Sequence, residues 1–149
     1  MAWLDQPTQE VWETRRTWFE NQLDSYENRP GNVFFTSDQA SALCGVAEIA
    51  FCAGAWIAVV ILAMAIVDSH ARDIELPDFK GNTKKLLEAL DLDPELEWLR
   101  QRRNELMHIR VDNPAFTLDQ AWSNQEQLEK DARKAVELMI DVLYSNPGT

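Results

Sequence analysis

The sequence predicts an all-α fold: an up-and-down bundle of four to five helices around one long central apolar helix. Three observations carry this expectation. Apolar residues recur at helical spacing in several segments, no segment alternates as a half-buried strand would, and no Asn-Gly or Asp-Gly hairpin pair occurs. The 149 residues suffice for one domain with a real core, and a 46% hydrophobic content with only 5 Gly and 6 Pro is globular rather than disordered. The chain 1–149 therefore reads as a single helical domain.

Helix one is expected from about Thr8 to Glu27, where Trp12, Phe19, Leu23 and Tyr26 share a face. The stretch "NRPGN" ends it through Pro30 and Gly31, and Val33, Phe34 and Phe35 are expected to cover one end of the bundle. Helix two starts at Thr36 or Ser37, whose hydroxyls can cap the free amides, and runs to about Arg72. Gly45 and Gly54 within it allow a close neighbour or a bend. "ELPDFKGN" is a linker punctuated by Pro77 and Gly81, and a short helix three covers about Thr83 to Leu90.

Helix four has a marked start. Asp93 caps it, Pro94 stands in the first turn, and Glu95 and Glu97 lie near the positive end of the dipole. It should end near His108, before the loop that Pro114 enforces in "DNPAF". A last helix begins at Thr117 or Ser123 and reaches Tyr144, with Ser123 and Glu126 spaced for a capping box. Its apolar stripe is Leu128, Ala132, Ala135, Val136, Met139, Val142 and Leu143.

One stretch admits a second reading. Ile49 to Val67, "IAFCAGAWIAVVILAMAIV", is uncharged over 19 residues, long enough for a membrane span. It is rich in Ala, acids flank it at Glu48 and Asp68, and no basic cluster marks a cytoplasmic side. A buried helix is the expectation, with a membrane anchor as the alternative. The opening "MAWLDQPTQEVWETRR" lacks an apolar core, so no signal peptide is expected. Cys44 and Cys52 would sit roughly 12 Å apart along one helix, too far for a disulfide, and read as buried thiols of a reducing cytoplasm.

The formal net charge of −11 argues against a general nucleic-acid coat or an anionic membrane as partner. Against that field, "LRQRRNELMHIR" holds Arg100, Arg102, Arg103 and Arg110 with one intervening acid, Glu105. Arg103 falls on the apolar line Leu92, Leu96, Leu99, Leu106, so its guanidinium needs a carboxylate, an interface or a ligand. Glu48, the lone acid in helix two's apolar pattern, is the expected partner. Arg100 and Arg102 lie off that line and can be plain solvated charges. His108 can be a simple helix-end histidine. Five residues of helix set Arg103 and His108 about 140° apart, whereas Asn104 and His108 share a face. They converge only if the helix unwinds or two copies meet. His70, His108 and the two cysteines show no metal-ligand spacing, and there is neither a glycine-rich phosphate loop nor a nucleophile elbow.

Arg103-Asn104-x-x-x-His108, preceded by "KKLLEALDLDPELEWLRQR", resembles the signature of the HEPN (higher eukaryotes and prokaryotes nucleotide-binding) domains. That signature is an Arg, a polar residue and a later His at the end of a late helix. The resemblance covers residues of about 38–144 in helix order, which would be the domain core. It implies a metal-independent endoribonuclease with no cofactor, often the toxin of a toxin–antitoxin or defence system, in which two protomers share one cleft. Arg103 would hold the scissile phosphate, His108 would act as general acid or base, and Asn104 would orient His108 or donate to phosphate. Arg100, Arg102 and Arg110 would contact the RNA backbone, and Glu48 would support Arg103. The implied partners are RNA, a second copy and an antitoxin or other protein, with neither DNA nor a membrane. The tyrosine that one toxin subgroup carries two residues after the His is here Arg110, so silencing by modification of that tyrosine does not carry over. A non-catalytic HEPN-like binding or assembly module is the alternative.

Overall fold

The computed structural model describes residues 5–27, 33–108, 110–145 and 147–148. Seven α-helices account for most of these: α1 (Gln9–Glu27), α2 (Asp38–Ala53), α3 (Trp56–His70), α4 (Thr83–Leu90), α5 (Leu96–Met107), α6 (Leu118–Ser123) and α7 (Gln125–Leu143). The fold is all-helical, as the sequence predicts. A two-residue antiparallel rung, Val33–Phe34 against Pro147–Gly148, is the one extended pairing among the described residues.

The long central helix is corrected to two helices. Gly54 adopts φ 79°, ψ 20°, the left-handed conformation that closes α2. Its N–H donates to the Phe51 carbonyl at 3.0 Å, and the Ala55 N–H donates to the Ala50 carbonyl at 2.9 Å. This pair of bonds stops the helix, and α3 then packs along α2. The 19-residue apolar run is thereby divided between two elements. Among the described residues no helix is long and apolar enough to cross a membrane.

α3 is the most buried helix. It packs against α2, α5 and α7, and Val59, Ala63, Met64, Ile66 and Val67 are fully buried. Each of these Val, Ile and Met side chains contributes about 1.5–3 kcal/mol by leaving water, and the Ala63 methyl about 0.8 kcal/mol. α1 lies on α2 and joins this core through Phe19, whose ring packs on Phe51. Two arginines cover the aromatic cluster. Arg15 stands over Trp56 at 4.7 Å, and Arg133 over Trp18 at 4.6 Å. Arg15 Nη1 also donates to the Cys52 carbonyl near the end of α2, at 3.1 Å.

α3 runs into a π-helical turn, Ala71–Glu75, where the Leu76 N–H reaches the Ala71 carbonyl at 2.7 Å. The wider turn brings Glu75 within 3.2 Å of His70 Nε2, a fully buried imidazole. A regular α-helix would swing residues five apart about 140° from one another. The rest follows local signals. Ser37 caps α2 and Asn82 caps α4 through side-chain oxygens. Thr117 and Gln120 form a reciprocal capping box that opens α6. The predicted box at Ser123 and Glu126 does not form, because Ser123 Oγ donates back to the Asp119 carbonyl and the chain breaks at Asn124 between α6 and α7. Phe34 covers Tyr144 edge-on, whereas Phe35 is exposed.

Candidate active site on helix α5

α5 is anchored by Leu96 and Leu99, both buried. Two ion pairs fix it to α7: Glu95 with Lys134 at 2.6 Å, and Asp131 with Arg102 at 3.2 Å. The helix ends at Met107. The His108 N–H still donates to the Asn104 carbonyl at 2.9 Å, but its backbone is extended at φ −113°, ψ 122°. The helix therefore lets go at the histidine.

This ending forms a cleft of about 380 Å³, lined by Arg100, Gln101, Asn104, Glu105, His108 and Arg110. Asn104 and His108 border it together, as their four-residue spacing predicts. A smaller hollow of about 160 Å³, lined by Arg102, Glu105, Arg110, Asn113 and Ala115, adjoins it, sharing Glu105 and Arg110. Arg103 lines neither.

The arginines differ sharply in what holds them. Arg100 grips Glu97 with two donors, Nε at 2.9 Å and Nη2 at 2.6 Å. That carboxylate raises the arginine's pKa, and the arginine in turn holds the Glu97 carboxyl below its usual range. Arg102 lies between Asp131 and Glu105, the latter at 3.4 Å. Neither arginine is a free solvated charge, since their side chains are 18% and 17% exposed. Arg103 is half-buried on the core-facing line, and its Nε donates to Asn104 Oδ1 at 2.8 Å. Among the described residues neither Arg103 nor Arg110 has a carboxylate within ion-pair distance, and Arg110 is exposed.

The expected Glu48–Arg103 pair is not formed. Glu48 faces α1 instead, in a groove with Trp12, Arg16, Glu20, Ile49 and Cys52. Burial first, and then the neighbouring Glu20 carboxyl, push its pKa up, partly offset by Arg16. Among the described residues its Oε1 is buried without a hydrogen-bond partner, and the carboxyl hydrogen-bonds with that of Glu20. Helical phase put Glu48 and Arg103 each on an inward line, but it could not say which neighbour each line meets.

The motif residues thus form a chain of contacts. Arg103 holds the Asn104 carboxamide by its oxygen, and Asn104 shares a cleft with His108. In one copy of the chain Arg103 stands behind that cleft, not in it. A cleft with an exposed imidazole, an amide and a free guanidinium can exchange a proton and bind an anion. A larger hollow of about 520 Å³, lined by Gly54 to Ala58, Phe116 to Leu118, Ala121, Gln125 and Leu128, has no ionisable lining residue and cannot do acid–base work. No group of three or more His, Cys, Asp or Glu that could hold a metal occurs among the described residues. In comparisons with known proteins, no family model, no curated protein and no solved structure matches this chain.

Proposed function

We propose that the chain is a metal-independent endoribonuclease of HEPN type, built on an up-and-down helical bundle and working in the cytoplasm. The observation that carries this reading is the release of the helix at His108, which lets Asn104 and His108 border one cleft with Arg100 and Arg110. His108 takes the proton of an RNA 2′-hydroxyl. The 2′-oxygen attacks the adjacent phosphorus, the bond from phosphorus to the 5′-oxygen breaks, and that oxygen is protonated. The products are a 2′,3′-cyclic phosphate and a 5′-hydroxyl. Developing charge on the phosphate is met by guanidinium donors, Arg110 within the cleft and Arg103 from a second copy across a two-fold axis. A homodimer is part of the proposal because Arg103 lies off the cleft of its own protomer. An antitoxin or another protein that masks the cleft fits the same reading.

The alternative is a HEPN-like binding or assembly module that cleaves nothing. It is favoured by the commitment of Arg103 to Asn104 and of Arg100 and Arg102 to carboxylates. A cleavage assay on a panel of single-stranded RNAs separates the two. Arg103→Ala and His108→Ala should each abolish cleavage without lowering thermal stability by more than about 1 kcal/mol. Cleavage should survive EDTA and fail on a substrate with deoxyribose at the scissile position. A monomer by light scattering at micromolar protein, or intact RNA with wild type freed of partners, would favour the binding module.

A further inference from the structure

The cleft at the end of α5 holds a residue that the proposed chemistry does not use. Glu105 borders both the cleft and the adjoining hollow of about 160 Å³, and among the described residues it is the one acid that lines either. A carboxylate beside a polyanion is repulsive unless it meets an N–H or O–H donor of that partner. The protein itself makes little use of it. Arg102 Nη1 reaches its Oε2 at 3.4 Å within the same helix, and the Glu105 side chain is 49% exposed. Exposed pairs of this kind are weak. Arg102 is in any case held by Asp131 of α7 at 3.2 Å.

The rest of the hollow comes from the loop after α5. The Asn113 N–H donates to the Arg110 carbonyl at 3.2 Å, a turn that brings Arg110, Asn113 and Ala115 together with Arg102 and Glu105 around one space. The lining thus combines a carboxylate that only accepts, a carboxamide that donates and accepts, guanidinium planes and a methyl group. Glu105 and Arg110 are the wall it shares with the cleft of His108. Glu105 stands three residues before His108, about one helical turn. A polymer whose phosphate lies in the cleft therefore has its neighbouring group at the hollow.

We infer that this hollow is a base subsite selective for guanine, with Glu105 as the residue that determines specificity. The inference rests on the ribonuclease reading for the polymer, and on the lining for the base. The two oxygens of a carboxylate accept two parallel N–H bonds. Guanine alone among the RNA bases carries two adjacent donors on its exposed edge, N1–H and N2–H. Adenine and cytosine place a lone-pair ring nitrogen beside the amino group, which would confront one carboxylate oxygen. Uracil has a single N–H flanked by two carbonyls. Single-stranded RNA displays these edges because its bases splay out of the stack. Guanine O6, next to N1, then takes a hydrogen bond from the Asn113 carboxamide. The base lies on the Arg102 guanidinium, which gives up Glu105 but keeps Asp131.

The test titrates 3′-GMP, 3′-AMP, 3′-CMP and 3′-UMP into the full chain, and into Glu105→Gln, by calorimetry. Wild type should bind 3′-GMP more tightly than the other three by about tenfold or more, the discrimination that a bidentate base contact gives. Glu105→Gln leaves the Arg102–Asp131 pair in place and should melt as wild type does. It should lose the preference for 3′-GMP and favour 3′-AMP, whose N1 and amino group match the donor and acceptor of an amide. A carboxylate with only a structural role would give no such reversal. On a mixed-sequence RNA, wild type should cut next to guanine and Glu105→Gln should not keep that preference. Selective binding of 3′-GMP with every RNA left intact would support the guanine site and overturn the ribonuclease reading. Cutting without regard to base, equal or absent binding of the four nucleotides, or an unchanged preference in Glu105→Gln would overturn the guanine site.

Discussion

Replacing Gly54 with alanine should destabilise the protein by about 1–1.5 kcal/mol. The wild-type residue sits at φ 79°, where a side chain costs about 1–2 kcal/mol. The new Cβ would lie 3.1 Å from Arg15 Nη1 and 3.6 Å from its Cζ. That guanidinium cannot retreat freely. It donates to the Cys52 carbonyl and stands 4.7 Å from the centre of the Trp56 ring. Displacing it forfeits part of a cation–π contact of about 0.5–1 kcal/mol. Against these losses, alanine restricts the unfolded chain and returns about 0.4–1 kcal/mol. In a chain of this size each kcal/mol moves the melting temperature by about 2–4 °C, so the expected fall is about 2–6 °C. Asparagine, which tolerates the left-handed region, should lose about half as much. Urea titration followed by circular dichroism measures both variants. A Gly54→Ala protein within about 0.5 kcal/mol of wild type would refute the reasoning, because the turn between α2 and α3 would then need no special backbone.

Glu48→Gln should stabilise the protein at neutral pH, since the amide keeps the shape and a donor toward Glu20 and removes one of two facing carboxyls. The sign follows from the raised pKa of Glu48: the folded state holds this proton more tightly than the unfolded state. Wild type therefore loses stability as pH climbs from below the ordinary carboxyl value through the raised one, and the gap to Glu48→Gln opens over that range. Equal denaturation midpoints across that range would show that Glu48 is satisfied by solvent. Arg102→Ala should cost about 1 kcal/mol by cutting the link between α5 and α7, while Arg100→Ala, which loses only a bond to its own helix, should cost about half or less. The reverse order in a thermal melt would mean that the Asp131 contact does not hold α5 in place.

Where local contrast was strong, the sequence was legible. α1, α4 and α7 follow from amphipathic spacing, and the Thr83–Leu90 helix matches to the residue. The division of the apolar run was not legible in the same way. A segment apolar on every side has no periodicity to show where it turns, so Gly54 signalled only that a bend was possible. The π turn at Ala71 also leaves no compositional trace, and with it the burial of His70 against Glu75 was missed. Its only signal was that a second histidine stood at the end of the apolar run. Cys44 and Cys52 were legible as quiet thiols: burial, and then Glu48 and Glu27, push Cys44 up to about 11.

The arginine cluster shows the same boundary between local and tertiary information. The residues from Arg100 to Arg110 hold four arginines and one glutamate, which reads as a strongly positive island. Folding adds Glu97 from one turn earlier and Asp131 from α7, so three carboxylates now touch two of the four arginines. What remains is not an island but Arg103 and Arg110, two guanidiniums without a carboxylate partner among the described residues. Long-range attraction of a polyanion is then weak, because the chain as a whole carries −11 and charges beyond about 10 Å are screened in ordinary salt. Any anion bound here is held by contact at short range. Arg102 is better understood as the fastener that ties α5 to α7, and Arg100 as a brace within the helix whose last turn opens at His108.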